Sequence, residues 1–88
     1  MTTKTITVQI PAGLEARPVA VLVQVANQYS SSIYLKDSNR RVNAKSIMGL
    51  MTLGLHAGEQ VTIEANGDDE TNAVAEIENY LSGDGKRA

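Results

Sequence analysis

Cysteine, phenylalanine and tryptophan are absent from the 88-residue chain, histidine occurs once and proline twice. Without cysteine there is no disulfide framework, no thiolate zinc site and no cysteine nucleophile. A single histidine excludes a multi-histidine metal centre. Three tyrosines are the whole aromatic inventory. That is too few for a protein that stacks successive bases of a single strand, so direct nucleic-acid binding is not expected. No apolar run approaches the length a membrane span requires, and no membrane association is expected. Met1 to Gln9 alternates Thr, Lys and Ile without the apolar stretch of a secretory signal. A soluble, cytoplasmic protein is the expectation.

What is present is an ordinary globular balance, 42% hydrophobic and 20% charged, with a core to be built from Val, Ile, Leu, Met and Ala. The length allows one domain over residues 1–88 and no second core. The net charge of −2 hides an asymmetry: residues 1–45 hold six Lys/Arg and two Asp/Glu, and residues 46–88 hold two and eight. A basic first half suits an anion or an acidic partner face.

Thr5 to Ile10 alternates polar and apolar residues and reads as a half-buried strand with Ile6, Val8 and Ile10 on one face. Ala16 to Gln28 carries valines at alternate positions, but thirteen residues is long for a strand here. Arg17, Gln24, Asn27 and Gln28 recur at helical spacing, and Pro18 suits a first turn. This segment is expected to be a helix. Ile33 to Lys36 and Arg40 to Asn43, joined by Asp37-Ser38-Asn39, form a hairpin. Ser46 to Leu53 is a short helix with Ser46 as N-cap and Gly54 past its end. Gln60 to Ala65 is a fourth strand. Gly67-Asp68-Asp69-Glu70 opens a last helix through Leu81, with acids favourably placed against its dipole and Ala73, Val74, Ile77 and Leu81 on one stripe. Residues 82–88 are expected to be a flexible tail. The fold class is α+β, a four-stranded antiparallel sheet with helices on one face. Element order alone does not separate a ferredoxin-like split βαβ sheet from other such sandwiches.

Three segments carry candidate chemistry. In Gly13-Leu14-Glu15-Ala16-Arg17-Pro18, a helix N-terminus with an arginine beside it is an anion site, but Glu15 already supplies an anion. Read structurally, it is a helix-capping carboxylate paired with Arg17. Ser46 is either a plain N-cap hydroxyl or a phosphorylation site, where a phosphate would face the positive end of the short helix with Lys45 adjacent. Ile47, Met48, Leu50, Met51 and Leu53 give that helix more apolar surface than one side can bury, and Met48 and Met51 are the expected outward pair. They are either a docking patch or covered by a loop or a second copy. His56 reads as a solvated loop residue, and Asp68-Asp69-Glu70 as helix-opening charge rather than a metal cluster. No Walker loop, Ser-His-Asp arrangement or dinucleotide fingerprint occurs.

Residues 13–18 resemble the active-site segment of HPr, the histidine phosphocarrier of the bacterial sugar phosphotransferase system. Val42-Asn43-Ala44-Lys45-Ser46-Ile47-Met48-Gly49-Leu50-Met51 resembles the regulatory serine segment of HPr from Gram-positive bacteria. The likeness runs from about Thr5 to Leu81. At the position where HPr carries its phosphoryl-accepting histidine stands Glu15. A carrier needs an imidazole nitrogen there, neutral near pH 7. The chain therefore looks most like the Crh branch, the catabolite-repression paralogues that lack that histidine and keep the serine, although Crh has Gln where this chain has Glu15.

The resemblance implies an open-faced β-sandwich with strand order 1-4-2-3 and three helices, no catalytic activity, and no metal or other cofactor. It implies phosphorylation of Ser46 by the ATP-using HPr kinase/phosphorylase, followed by corepressor binding to catabolite control protein A, a LacI-type repressor. The docking surface it implies is Arg17, Ser46, Ile47, Met48 and Met51, rimmed by Ala20 and Gln24. It also implies the capacity to exchange the first strand between two copies, and Glu15 becomes a constant anion beside Arg17. One competing reading is a phosphocarrier of the phosphoenolpyruvate-dependent system with its histidine replaced by Glu15, naturally or by engineering. The other is a small phosphate or acyl-phosphate hydrolase using Arg17 and Asn43.

Overall fold

The computed structural model describes residues 1–9, 16–38, 40–53 and 58–82, and of residues 16–18 the backbone alone. In chain order these form β1 (Thr2–Thr7), α1 (Ala16–Asn27), β2 (Ser32–Lys36), β3 (Arg41–Asn43), α2 (Ile47–Leu53), β4 (Gln60–Asn66) and α3 (Glu70–Leu81). The strands make one antiparallel sheet in the order β1-β4-β2-β3, and the three helices cover one face. That is the open-faced sandwich, and the strand order removes the ferredoxin-like alternative.

The core lies between that face and the helices. Val61, Ile63 and Ala65 of β4 and Ile33 and Leu35 of β2 alternate inward, as period-two patterning requires. They meet Val19, Leu22, Val25 and Ala26 of α1, Leu50 and Leu53 of α2, and Ala73, Val74, Ile77 and Leu81 of α3. The valine run of α1 resolves on a helical period: Val19 and Val25 are buried with Leu22 and Ala26, while Val21 and Val23 lie half-buried at the edge of the stripe. The opposite face of the sheet is polar. There Arg41 stacks on the Tyr34 ring, 3.8 Å from its centroid, and its Nε donates to Glu64 Oε1 at 3.0 Å, lacing three strands together.

The first strand departs from expectation. It spans Thr2–Thr7 rather than Thr5 to Ile10, because β4 offers a ladder from Gln60 to Asn66 and β1 runs along it from Thr7↔Gln60 to Thr2↔Ala65. Alternation was invisible there because the helix-facing positions Thr2 and Lys4 are polar. Val8 leaves the ladder yet stays buried, its N–H donating to the Glu59 carbonyl and its own carbonyl accepting from Gly58. Ile10 lies outside the described residues. The strand β3 starts at Arg41, one residue later than expected, because Arg40 closes the hairpin turn: Asp37 N–H donates to the Arg40 carbonyl and Arg40 N–H to Asp37 Oδ1. Ser82 belongs to the α3 C-terminus, donating from its N–H to Glu78 and from its hydroxyl to Asn79. The rest of the expected tail, residues 83–88, lies outside the described residues.

The acids open α3 as expected, with Glu70 in its first turn, but the Asp69 side chain bonds elsewhere. Asp69 occupies the N-cap position but makes no side-chain bond to its own helix. Its carboxylate instead accepts the N–H and hydroxyl of Ser31 on Oδ1, and the N–H (2.9 Å) and hydroxyl of Ser30 on Oδ2. This locks the α1–β2 connector to the start of α3. Gly67 lets the two segments approach: a Cβ there would stand 2.7 Å from Ser31 Cα and 2.6 Å from its Oγ. Because the obstruction includes backbone, Gly67→Ala is expected to cost about 1–3 kcal/mol. A calorimetric melt with an unchanged midpoint would refute that account.

Candidate functional site

The site is built around the turn into α2. Ala44, fully buried, donates its N–H to the Ile33 carbonyl and pins the chain after β3. Asn43 then makes a local turn, its Oδ1 accepting the Lys45 N–H at 2.8 Å and its carbonyl accepting Ser46 N–H at 3.0 Å. Ser46 follows as a true N-cap: its Oγ accepts the Gly49 N–H at 3.2 Å and its carbonyl accepts Leu50 N–H at 3.0 Å. The hydroxyl of this half-buried residue thus sits at the positive end of the helix.

Two turns of helix can turn only one side to the sheet, and Leu50 and Leu53 take it. Ile47 is left 47% exposed, Met51 50% and Met48 80%. The expected outward pair is therefore joined by Ile47. Ala20 and Gln24 are exposed one turn apart on α1, the helix that packs against α2. Arg17 is the second residue of α1. Gly13, Leu14 and Glu15 lie outside the described residues, as do Gly54 and His56.

Two contacts escaped the sequence reading. Lys45 does not lean on Ser46; its Nζ donates to the Tyr29 carbonyl at 2.8 Å, just past the end of α1. Arg40 Nη1 donates to the Thr52 carbonyl at 2.6 Å, holding the last turn of α2 from the hairpin. Both partners are main-chain carbonyls distant in sequence, for which residue type carries no signal. Asn43, a candidate for hydrolytic chemistry, has its carboxamide oxygen engaged in the turn before Ser46.

Sheet order, helix placement and an N-cap serine set among exposed apolar side chains define an HPr-type sandwich. The chain matches the family described as PTS HPr component phosphorylation site over residues 2–82, and it belongs to that family. It is 42% identical over 81 residues to the HPr-like protein Crh of Bacillus subtilis (strain 168), covering 92% of this chain and 95% of that one. Among solved structures, it is similar to HPr-C-His from Thermoanaerobacter tengcongensis, with a TM-score of 0.90, 42% identity, and 96% and 94% of the two chains covered. It is similar as well to the crystal structure of B. subtilis Crh, described as a swapped dimer, with a TM-score of 0.78, 40% identity, and 96% and 97% covered. HPr and Crh proteins are carriers and regulators, not catalysts, and the hydrolase reading falls with that. Among the described residues, no helix is long and apolar enough to cross a membrane.

Proposed function

We propose that the chain is a phosphoserine-switched regulator of carbon catabolite repression, acting in the cytoplasm. In this reading HPr kinase/phosphorylase transfers the γ-phosphoryl group of ATP to Ser46 Oγ and removes it again when sugar is scarce. The observation that carries the proposal is the half-buried Ser46 capping the α2 N-terminus, with Ile47, Met48 and Met51 exposed beside it.

A phosphate adds about one and a half to two negative charges at pH 7 and three acceptor oxygens. At this position it meets the positive helix end, and its outer oxygens are free for charge-assisted bonds from a partner arginine. The three apolar side chains then supply dry contact area around that charge. The partner is the LacI-type catabolite control protein A, for which the phosphorylated chain is corepressor; DNA contact and membrane contact fall to other proteins. Arg17, Ala20 and Gln24 complete the docking surface from α1. The swapped dimer described for Crh of B. subtilis supports a further element of this reading, that two copies exchange β1.

Treatment with the kinase and ATP, followed by mass spectrometry, is expected to add one phosphoryl group to the wild type and none to Ser46→Ala. Incubation with phosphoenolpyruvate and the first enzyme of the sugar system is expected to add none to either. Uptake in that second arm, or a Ser46→Ala protein that is still phosphorylated by the kinase, defeats the proposal.

A further inference from the structure

The way β1 is attached differs from the way the inner strands β2 and β4 are attached. On its helix-facing side, β1 sets Thr2 opposite Ala65, Lys4 opposite Ile63 and Ile6 opposite Val61. The β4 partners are all buried, but on β1 only Ile6 joins the core. Residues 1–5 therefore bury almost no apolar side chain, and the hydrophobic effect does little to hold them. Polar contacts with one helix stand in its place. Lys4 Nζ lies 2.9 Å from both Glu78 carboxylate oxygens. Glu70 Oε2 accepts the Thr2 hydroxyl at 2.6 Å and pairs with the Met1 ammonium at 2.9 Å, while its Oε1 accepts Gly67 N–H.

Just beyond, the attachment changes character. Val8 is fully buried, its N–H and carbonyl are both bonded to the 58–59 turn, and Gln9 N–H donates to the Leu81 carbonyl at 2.7 Å. An ionic clamp at the outer end of the strand thus precedes an apolar anchor at its inner end.

We propose that Glu70 and Glu78 form a two-point latch that sets how often β1 lifts away from β4. When it lifts, the β4 edge and the inward side chains Ile63 and Ala65 are uncovered, and the occupant that fits is the β1 of a second copy. That consequence rests on the strand-exchange reading above; the latch itself does not. In an exchanged dimer the incoming strand meets the same carboxylates. The latch contacts therefore exist in both end states and vanish only during the crossing, so the latch governs the rate of exchange and leaves its equilibrium nearly unchanged. Because the Met1 and Lys4 ammonium groups of the two ion pairs are exposed, salt weakens them.

The test is amide hydrogen exchange read by mass spectrometry on the peptide spanning residues 1–9. In Glu70→Gln/Glu78→Gln, exchange there is expected to be about twofold to thirtyfold faster, the range for two surface ion pairs. Raised NaCl on the wild type should move it the same way, with core α3 amides unaffected. Asp68→Asn, which removes a charge from an exposed side chain outside the latch, should leave the peptide unchanged. No acceleration in the double variant, or an equal acceleration throughout the molecule, overturns the proposal. Mixing isotopically labelled and unlabelled protein and counting hybrid dimers by native mass spectrometry separates the two readings. Faster β1 exchange without hybrids defeats strand exchange alone and supports the latch.

Discussion

Asp69→Ala is expected to lower the thermal midpoint by about 10–20 °C. Four donors from Ser30 and Ser31 converge on this one carboxylate. Ser31 is 2% exposed, so its hydroxyl has no water to turn to once the acceptor is gone. An unmade bond at a buried group is costlier than the average bond is worth. The damage propagates because the same contact joins two segments that are far apart in sequence. Differential scanning calorimetry checks the result, and a shift of only 2–3 °C would show that Ser31 finds another acceptor.

The same carboxylates give acid sensitivity with a definite sign. The Ser31 hydroxyl, then the Ser30 N–H, hold Asp69 below the ordinary carboxylate range. The Thr2 hydroxyl, the Gly67 N–H and the Met1 ammonium hold Glu70 at about 2. Folded values lie below unfolded ones, so the stabilisation is fully present above about pH 5 and is lost as pH falls through about 4 towards 2. The melting midpoint is expected to be flat near neutrality and to drop across that acid window, and Asp69→Asn should flatten the drop.

Met48→Asp is expected to leave folding unchanged and, under the proposed function, to weaken binding of the Ser46-phosphorylated chain to the proposed repressor partner by at least about a hundredfold. Met48 is 80% exposed at the second position of α2, where an acidic side chain suits the helix dipole. Stability therefore has no reason to fall. Binding suffers twice, from a lost apolar anchor and from a negative charge set beside the phosphate that the partner's cation must reach. Calorimetric titration of both proteins decides it. Equal affinities would remove this side chain, and with it the apolar half of the docking surface, from the proposal.

Much of this was legible along the chain. The helix over Ala16–Asn27, the cap at Ser46 and the clean alternation of β4 follow from side chains acting on their own backbone within a turn or two. Surplus apolar residues between Ile47 and Leu53 likewise announced an exposed patch, since a two-turn helix has only one side to bury. The start of β1 was not legible, because Thr2 and Lys4 break the pattern that burial normally writes. Nor was the role of Asp69, which looked like a charge serving its own helix.

The linear order of residues by itself determined the helices and the strands after the first, the inward stripe of each, and the serine that caps the middle helix. Tertiary structure alone decided which far-apart groups meet: the first strand with α3 carboxylates, Asp69 with the serines before β2, Lys45 with Tyr29 and Arg40 with Thr52. The reason is physical. Local bonding and amphipathic period depend on neighbours a few positions apart, whereas partners for charged and hydrogen-bonding side chains are set by how whole layers stack.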